Sequence, residues 1–133
     1  MYSITVRNNI LIAHSLPGEV FGPAQNMHGA TYIVDAEFFA ENVNKYNIIM
    51  DLGVVTDILS EVLKFYSYKN LDEVDEFKGI ITSTEFLAKD IYDRICSKLK
   101  SNYYNDYQLL HKLRITLTES NVAWASFEQE IEK

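Results

Sequence analysis

The stretch FGPAQNMHGATY, residues 21–32, has the layout of a metal-binding motif that lacks one ligand. His28 enters a predicted strand, and Ala30 stands two residues later, where a second imidazole would point to the same face and share a metal ion. A catalytic zinc ordinarily needs three protein ligands and one open position, and an alanine side chain supplies no ligand.

Few other side chains in the chain can ligate a metal through nitrogen or sulfur. The remaining histidines are His14 and His111, and Cys96 is the single cysteine. One cysteine excludes both an intrachain disulfide and a cysteine-based zinc cluster. Its place in a predicted helix indicates a small core residue.

The composition predicts one domain, residues 1–133, because 133 residues that are 47% hydrophobic suffice for one sizeable core. Twelve basic and nineteen acidic residues give a net charge of −7, which repels nucleic acid and anionic membranes. We find neither a cationic leader nor an apolar run long enough to cross a bilayer, and we expect a cytoplasmic protein.

Alternating apolar residues predict two strands that would position the histidines. The first covers residues 2–14, and its polar interruption at residues 7–9 predicts a bend or a bulge. A loop, residues 15–27, holds both prolines. The second strand, residues 31–39, carries apolar side chains on both sides, so we expect a homo-oligomer in which another subunit covers the face away from the helices.

Two helices and a hairpin complete the predicted α+β fold. Asp51 is placed to cap a helix over residues 54–63, and Thr82 with Glu85 has the form of a capping box for the next one. A polar turn, residues 101–106, ends the second helix, and a hairpin turns near residues 119–121. The predicted order is β-β-α-α-β-β, with both helices on one face of an antiparallel sheet.

Six pieces of sequence in this order resemble the 6-pyruvoyltetrahydropterin synthase and 6-carboxytetrahydropterin synthase family. They are a histidine ending the first strand and the segments NMHGATY, IIMDLGVVTDIL, YSYKNLDEV, ITSTEFLAKDI and LTESNVAWASF. The resemblance covers nearly the whole chain. It implies the tunnelling fold (T-fold), in which subunits join their sheets into a barrel as a trimer or a dimer of trimers, with a pterin site at each subunit interface.

The resemblance assigns the family's three zinc-binding histidines to His14, His28 and Ala30. His111 is a poor replacement, because it lies eight residues from Glu119 on the same predicted strand. Glu19 and Gln25 lie in the preceding loop without a spacing that favours either. We therefore do not expect zinc, and we expect His14 and His28 to be partly buried, hydrogen-bonded side chains.

The family's proton-transfer positions have also changed. Its nucleophilic cysteine corresponds to Ala24, and its Asp-His pair corresponds to Ser67 and Tyr68. A phenol is a weak base near neutral pH, which makes Tyr68 a weak catalytic candidate.

The positions that hold the pterin ring in the family are retained. Glu119 occupies the place of a glutamate that accepts hydrogen bonds from the ring's amino group and ring N–H. Ser83 and Thr84 occupy the place of a Thr-Thr pair at a helix start, where free backbone N–H groups meet a carbonyl.

We therefore interpret the chain as a pterin-binding family member without the usual synthase activity, which senses, stores or presents a reduced pterin, including to a partner protein. Three alternatives stay open. The first is an active lyase or synthase that uses Tyr68, Glu19 or a metal held by two histidines. The others are a structural or partner-binding oligomer without a ligand and a T-fold protein that binds a purine-like heterocycle.

Overall fold

The computed structural model describes residues 1–133. The strands and α-helices in chain order are β1 (Tyr2–His14), β2 (His28–Ala40), α1 (Leu52–Leu63), β3 (Lys69–Asn70), α2 (Thr84–Asn102), α3 (Tyr104–Leu109), β4 (Lys112–Ser120) and β5 (Ala123–Glu130). Short 3₁₀ segments cover Glu19–Gln25, Leu71–Glu73 and Asp75–Phe77. The five strands form one sheet in the order β3-β1-β2-β4-β5, and α1 and α2 pack on one of its faces.

Strands β1 and β2 are antiparallel and keep one register from Tyr2 opposite Ala40 to His14 opposite His28. The predicted bend at residues 7–9 is therefore wrong. Arg7 lies directly opposite Asp35, and its Nε donates to Oδ1 of that carboxylate at 2.7 Å. Residues 7–9 are all exposed and do not interrupt the pairing of the strand.

The helix starts were predicted with mixed accuracy. Asp51 caps α1 as predicted, accepting a hydrogen bond from the Val54 N–H at 3.0 Å. In α2 the capping residue is Ser83, whose Oγ accepts from the Phe86 N–H at 3.1 Å, so the predicted capping box of Thr82 and Glu85 is wrong by one residue. The shift leaves the Thr82 side chain free for another contact.

The core lies between the sheet and the two long helices. On β2 the alternate residues Tyr32, Val34, Ala36 and Phe38 are buried, and on α2 the stripe Leu87, Ile91, Ile95 and Leu99 meets the sheet. These positions follow the two-residue period of a strand and the 3.6-residue period of a helix. The packing fixes where the ends of β1, β2 and α2 meet.

The face of the sheet away from the helices is less apolar than predicted. Ion pairs link its neighbouring strands, including Arg7 with Asp35, Arg114 with Glu37 and Glu128, and Lys112 with Glu128. The exposed apolar side chains on this face gather toward one end and include Leu11, Ile33 and Trp124. The outward-facing side chains of β2 thus include Asp35 and Glu37, which already have cationic partners.

The connections contain structure that the sequence patterns did not indicate. The polar turn predicted over residues 101–106 instead contains the end of α2 at Asn102 and the start of α3 at Tyr104, and β3 pairs with β1 in parallel at only two positions. The hairpin turns at residues 121–122, slightly beyond the predicted turn. None of the helices is both long and apolar enough to cross a membrane.

Candidate functional site

A histidine pair lies where β1 ends and β2 begins. His14 and His28 are register partners, and their ring centroids are 4.6 Å apart in an edge-to-face arrangement. Nδ1 of His14 lies 2.9 Å from Oγ1 of Thr82, and Nδ1 of His28 lies 2.9 Å from the Asn26 carbonyl oxygen. Each ring therefore has one nitrogen committed to the protein.

His14 is favoured as a neutral imidazole. Burial lowers its pKa, and the neighbouring His28 lowers it further, while the carboxylates of Asp72 and Glu119 act in the opposite direction. Only 1% of the residue is exposed. The net effect is a lowered pKa of His14, so the protonated form of this buried ring is disfavoured.

The donor set around these rings does not fit a zinc ion held by three protein ligands. No group of three or more histidine, cysteine, aspartate or glutamate side chains is arranged to hold a metal ion. His111 precedes β4 at the opposite end from Glu119, and its ring nitrogens lie 3.9 Å from Glu41 and 3.6 Å from Glu130. Ala30 leaves the third position of the set without a donor atom.

A second cluster joins β4, α2 and β2 on the helix-covered side of the sheet. Oγ1 of Thr84 donates to Oε1 of Glu119 at 3.3 Å, and the Tyr32 hydroxyl lies 3.4 Å from the same Oγ1. Tyr32 is buried, and burial raises the pKa of its phenol. The cluster thus links the buried, neutral phenol of Tyr32 to the exposed carboxylate of Glu119 through the hydroxyl of Thr84.

Glu119 lies in a β-bulge between β4 and β5. Thr118 pairs with Trp124 and Ser120 with Ala123, so Glu119 is the extra residue in its strand. An extra residue bends the strand and turns its side chain in a new direction. Glu119 is exposed at this point, and its carboxylate has oxygen lone pairs beyond the bond to Thr84.

The start of α2 supplies hydrogen-bond donors beside this carboxylate. The first N–H groups of a helix have no partner within the helix, and here Ser83 satisfies only that of Phe86. The N–H groups of Thr84 and Glu85 are therefore available to a carbonyl or an anion. Ser83 acts as the helix cap, whereas the Thr84 side chain points to Glu119.

The structure adds three residues that sequence reasoning did not assign to the site. Thr82 is 1% exposed and contacts His14, Tyr32 contacts Thr84, and Asp72 accepts hydrogen bonds from the Ser15 N–H at 3.0 Å and hydroxyl at 2.6 Å. The spacing of His28, Ala30 and Tyr32 places all three on one face, which could have indicated Tyr32. No comparable signal marks Thr82 or Asp72.

The remaining candidates lie outside these clusters. Tyr68 is 84% exposed with a positive φ of 61°, and its N–H donates to the Leu11 carbonyl. Glu19 is exposed in the first turn of a 3₁₀ segment, and Gln25 donates to the Gly22 carbonyl within that segment. Cys96 packs against the core, and burial raises the pKa of its thiol to about 11. A thiol so protected is a poor nucleophile.

Comparison with known proteins matches the resemblance. The model of the 6-pyruvoyl tetrahydropterin synthase family matches residues 3–130. A 6-pyruvoyl tetrahydrobiopterin synthase of Dictyostelium discoideum is 30% identical over 105 residues, which are 77% of this chain and 73% of that protein.

Solved structures share the fold. The 6-pyruvoyl tetrahydropterin synthase of Caenorhabditis elegans superposes with a TM-score of 0.79 at 22% identity, covering 96% of this chain and 95% of that one. The Plasmodium vivax enzyme gives 0.79 at 15% identity, covering 98% of each chain. A variant of the P. vivax enzyme, with a catalytic glutamate replaced by cysteine, gives 0.78 at 15% identity and 98% coverage of each chain.

The predicted α+β tunnelling fold is confirmed by these similarities, which extend over almost the full chain. The family match rests on the sequence over 3–130. The chain belongs to the 6-pyruvoyl tetrahydropterin synthase family.

Proposed function

We propose that the chain binds a reduced pterin and does not run the usual synthase reaction. The observation that carries this proposal is the Glu119 carboxylate, exposed on a bulge and hydrogen-bonded to Thr84 at 3.3 Å beside the start of α2. A carboxylate can accept both the amino group and the adjacent ring N–H of a pterin, and free helix N–H groups can meet the ring carbonyl.

The absence of the usual catalytic groups supports binding without turnover. The side chain of Ala24 cannot transfer a proton, and that of Ala30 cannot ligate a metal ion. Tyr68 extends into solvent, and Cys96 is protected within the core. The side chains that remain in the site accept and donate hydrogen bonds, which suits recognition of a planar heterocycle.

We also propose that copies of the chain assemble through their sheet edges as a homo-oligomer, a trimer or a dimer of trimers, with the pterin at the interface between subunits. Most of β1 is an open edge, because β3 pairs with it only at Ile12 and Ala13. The opposite edge, β5, has no neighbour beyond it. Open edges of this kind are normally paired or protected in native proteins.

The experiment that tests the proposal is isothermal titration of metal-analysed protein with neopterin and its dihydro and tetrahydro forms. We expect binding of a reduced form without stoichiometric zinc, and an affinity roughly 10- to 100-fold lower in Glu119→Gln, because a hydrogen bond to a charged group contributes about 1.5–3 kcal/mol. Glu61→Gln is the matched control, since Glu61 lies on α1 and pairs with Lys64.

Each outcome of the titration has a definite meaning. No binding by any of the three forms would overturn the proposal. Unchanged affinity in Glu119→Gln would show that another group anchors the ring. Tighter binding of guanine or urate than of any pterin would favour a purine-like ligand. Stoichiometric zinc in the purified protein would contradict the conclusion that the donor set around His14 and His28 does not fit a zinc ion.

A second candidate is a synthase or lyase with altered catalytic residues. It is favoured by the Dictyostelium relative, which is named a synthase, and by the P. vivax enzyme, in which a glutamate is called catalytic. In this chain Glu19 is the only acidic residue of the loop 15–27. Product formation from dihydroneopterin triphosphate, lost in Glu19→Gln and retained in Tyr68→Phe, would establish this activity.

A further inference from the structure

The free edge of β1 is shorter than the strand. Ile12 and Ala13 pair with β3, and the Leu11 carbonyl accepts the Tyr68 N–H at 2.6 Å. Backbone groups alternate between the two sides of a strand, so the Leu11 carbonyl shows that the odd-numbered residues direct theirs to this edge. The odd-numbered residues left for an added strand are Ser3, Thr5, Arg7 and Asn9.

The opposite edge, β5, carries the only tryptophan of the chain. Trp124 is 65% exposed and lies opposite Thr118, which lies opposite Ile33, which in turn lies opposite Asn9. This row marks one level across the sheet, on the face away from the helices. Neighbouring strands of β1, β2, β4 and β5 are antiparallel, so β5 of one copy would also lie antiparallel to β1 of the next.

The register of that junction is restricted. Closing strands into a barrel requires a stagger, so Trp124 cannot meet the next copy at its own level, which is that of Asn9. The stagger is an even number of residues, because an odd shift would turn the two sets of side chains to opposite faces. Toward the C-terminal end of β1, Trp124 would lie opposite Leu11 or Ala13, where the edge is already engaged. The stagger therefore runs toward the N-terminal end of β1.

Arg7 is the cation at this part of the edge. A stagger of two residues places Trp124 opposite Arg7, and one of four residues places it opposite Thr5. A larger stagger would leave most of β5 unpaired. Side chains on one face of a sheet contact each other both directly across and one position diagonally. Arg7 of the next copy is thus within reach of Trp124 in either register.

The Arg7 side chain is already held in place within each chain. Its Nε and Nη2 donate to the two carboxylate oxygens of Asp35 at 2.7 and 3.0 Å, and it remains 67% exposed. The ion pair fixes the guanidinium on the outer face and leaves further N–H groups unused. A planar, weakly hydrated guanidinium stacks well on an aromatic face, and an indole ring is the best of these faces.

We infer that Arg7 of one copy stacks on Trp124 of the next copy, and that this contact joins their sheets on the face away from the helices. The inference rests on the assembly through sheet edges proposed above and does not depend on pterin binding. Each copy supplies the arginine to one neighbour and the tryptophan to the other. The contact covers a large apolar side chain that one chain alone leaves exposed.

The first test measures assembly by sedimentation velocity and the exposure of Trp124 by acrylamide quenching of its fluorescence. We expect the assembled wild type to be quenched much less than the urea-unfolded protein. Arg7→Gln should raise the quenching and weaken the assembly about three- to thirtyfold, because it removes the stacked cation. Arg7→Lys keeps the charge without the planar group and should recover only part of this loss.

Two control variants match these changes. Arg114→Gln removes a cation of the same type from the same face, but on β4, inside the sheet. Val122→Ser removes an apolar side chain that is 79% exposed in the hairpin turn, for comparison with Trp124→Ser. We expect Trp124→Ser to weaken the assembly and Val122→Ser to leave it unchanged. Thermal unfolding checks that every variant is folded.

Disulfide trapping tests the register. Within one chain β2 and β4 separate β1 from β5 by about 14 Å, too far for a disulfide, so a cross-link must join two copies. Ser126→Cys should cross-link to Thr5→Cys at a stagger of two residues, or to Ser3→Cys at a stagger of four. A cross-link to Asn9→Cys instead would place Trp124 opposite Leu11 and overturn the inference.

The results separate this inference from the proposed function. A wild type that is monomeric at all concentrations would overturn the proposed assembly, and this inference with it. If the protein assembles but Arg7→Gln changes neither the quenching of Trp124 nor the assembly, the assembly stands and the contact is wrong. A failure of pterin binding in a protein that shows the contact would overturn the proposed ligand alone.

Discussion

Two buried tyrosines are linked to carboxylates through hydrogen bonds, and the surroundings of the two carboxylates differ. Tyr66 donates to Asp90, which also accepts from Nε of Arg94 at 2.9 Å, and Arg94 reaches Glu76 at 2.8 Å. Tyr32 leads through Thr84 to Glu119 with longer separations of 3.4 and 3.3 Å and without a cation. We call these the Tyr66 cluster and the Tyr32 cluster.

The difference separates a structural network from a binding surface. In the Tyr66 cluster the guanidinium of Arg94 neutralises two carboxylates and also stacks 3.7 Å from the Phe65 ring centroid. In the Tyr32 cluster the carboxylate is exposed and has lone pairs to spare. The hydrogen bonds of the Tyr66 cluster stabilise the fold, whereas the Glu119 carboxylate of the Tyr32 cluster can still accept hydrogen bonds from a ligand.

The largest expected effect comes from breaking the Tyr66 cluster at its centre. Asp90→Ala leaves the buried hydroxyl of Tyr66 and the guanidinium of Arg94 without their shared partner, so we expect unfolding free energy to fall by about 2–3 kcal/mol. Urea unfolding measures this loss. Pterin affinity should stay unchanged, and a parallel loss of affinity in the folded variant would contradict the division between the clusters.

The next effect is alkaline destabilisation. Burial, together with Asp90, raises the pKa of Tyr66, so the fold favours the neutral phenol. The unfolded chain loses phenolic protons first, and stability should therefore fall as the pH rises above about 10. In Tyr66→Phe, which we expect to cost about 1 kcal/mol at neutral pH, this fall should be shallower when urea unfolding is followed from pH 9 to 11.

Tyr68→Phe is the control for that slope, because Tyr68 is exposed. It should leave both the stability and its pH dependence as in the wild type. An equal flattening in Tyr68→Phe would mean that the slope does not report buried phenols.

Tyr32→Phe tests whether the Tyr32 cluster acts as a unit. Removing the hydroxyl takes one partner from Thr84, which in turn holds Glu119, so we expect reduced-pterin affinity to fall about three- to tenfold. The double variant with Glu119→Gln should lose little more than Glu119→Gln alone, because the phenol acts through that carboxylate. Additive losses in titration calorimetry would contradict this coupling.

The smallest expected effect is that of Glu119→Gln on stability. Glu119 is exposed and has no cationic partner, so we expect the unfolding free energy to change by less than about 0.5 kcal/mol. A loss of more than about 1 kcal/mol in urea unfolding would make Glu119 a structural residue and remove the contrast with Asp90.

The sequence predicted the elements whose periodicity is strong. The first strand and the Asp51 cap of α1 agree with the structure, and the second strand, predicted over residues 31–39, is β2, which begins three residues earlier at His28. Each depends on local spacing or on one capping interaction, which a single sequence carries. The short α3 and the two-residue β3 have no such signal, because their positions depend on contacts with distant parts of the chain.

The candidate site was predictable only in part for the same reason. Family resemblance brought attention to Glu119 and Thr84, but not to the bulge that turns Glu119 toward α2, since a register shift depends on the partner strand. Thr82 was assigned to a helix cap because its spacing to Glu85 fits one. Its contact with His14 joins residues 68 positions apart, which no local pattern reports.

None of the twelve lysines and arginines falls within residues 8–44, 79–88 or 115–132, which hold the histidine pair, the start of α2 and Glu119, and this determines how the site can be mapped. Trypsin cleaves after these residues, so complete digestion would release the site in four peptides, namely residues 8–45, 70–78, 79–89 and 115–133. They carry, in turn, the histidine pair with Tyr32, then Asp72, then the start of α2, and finally Glu119. Covalent footprinting with and without a ligand, read by mass spectrometry, would therefore report the protection of each part of the site on a separate peptide.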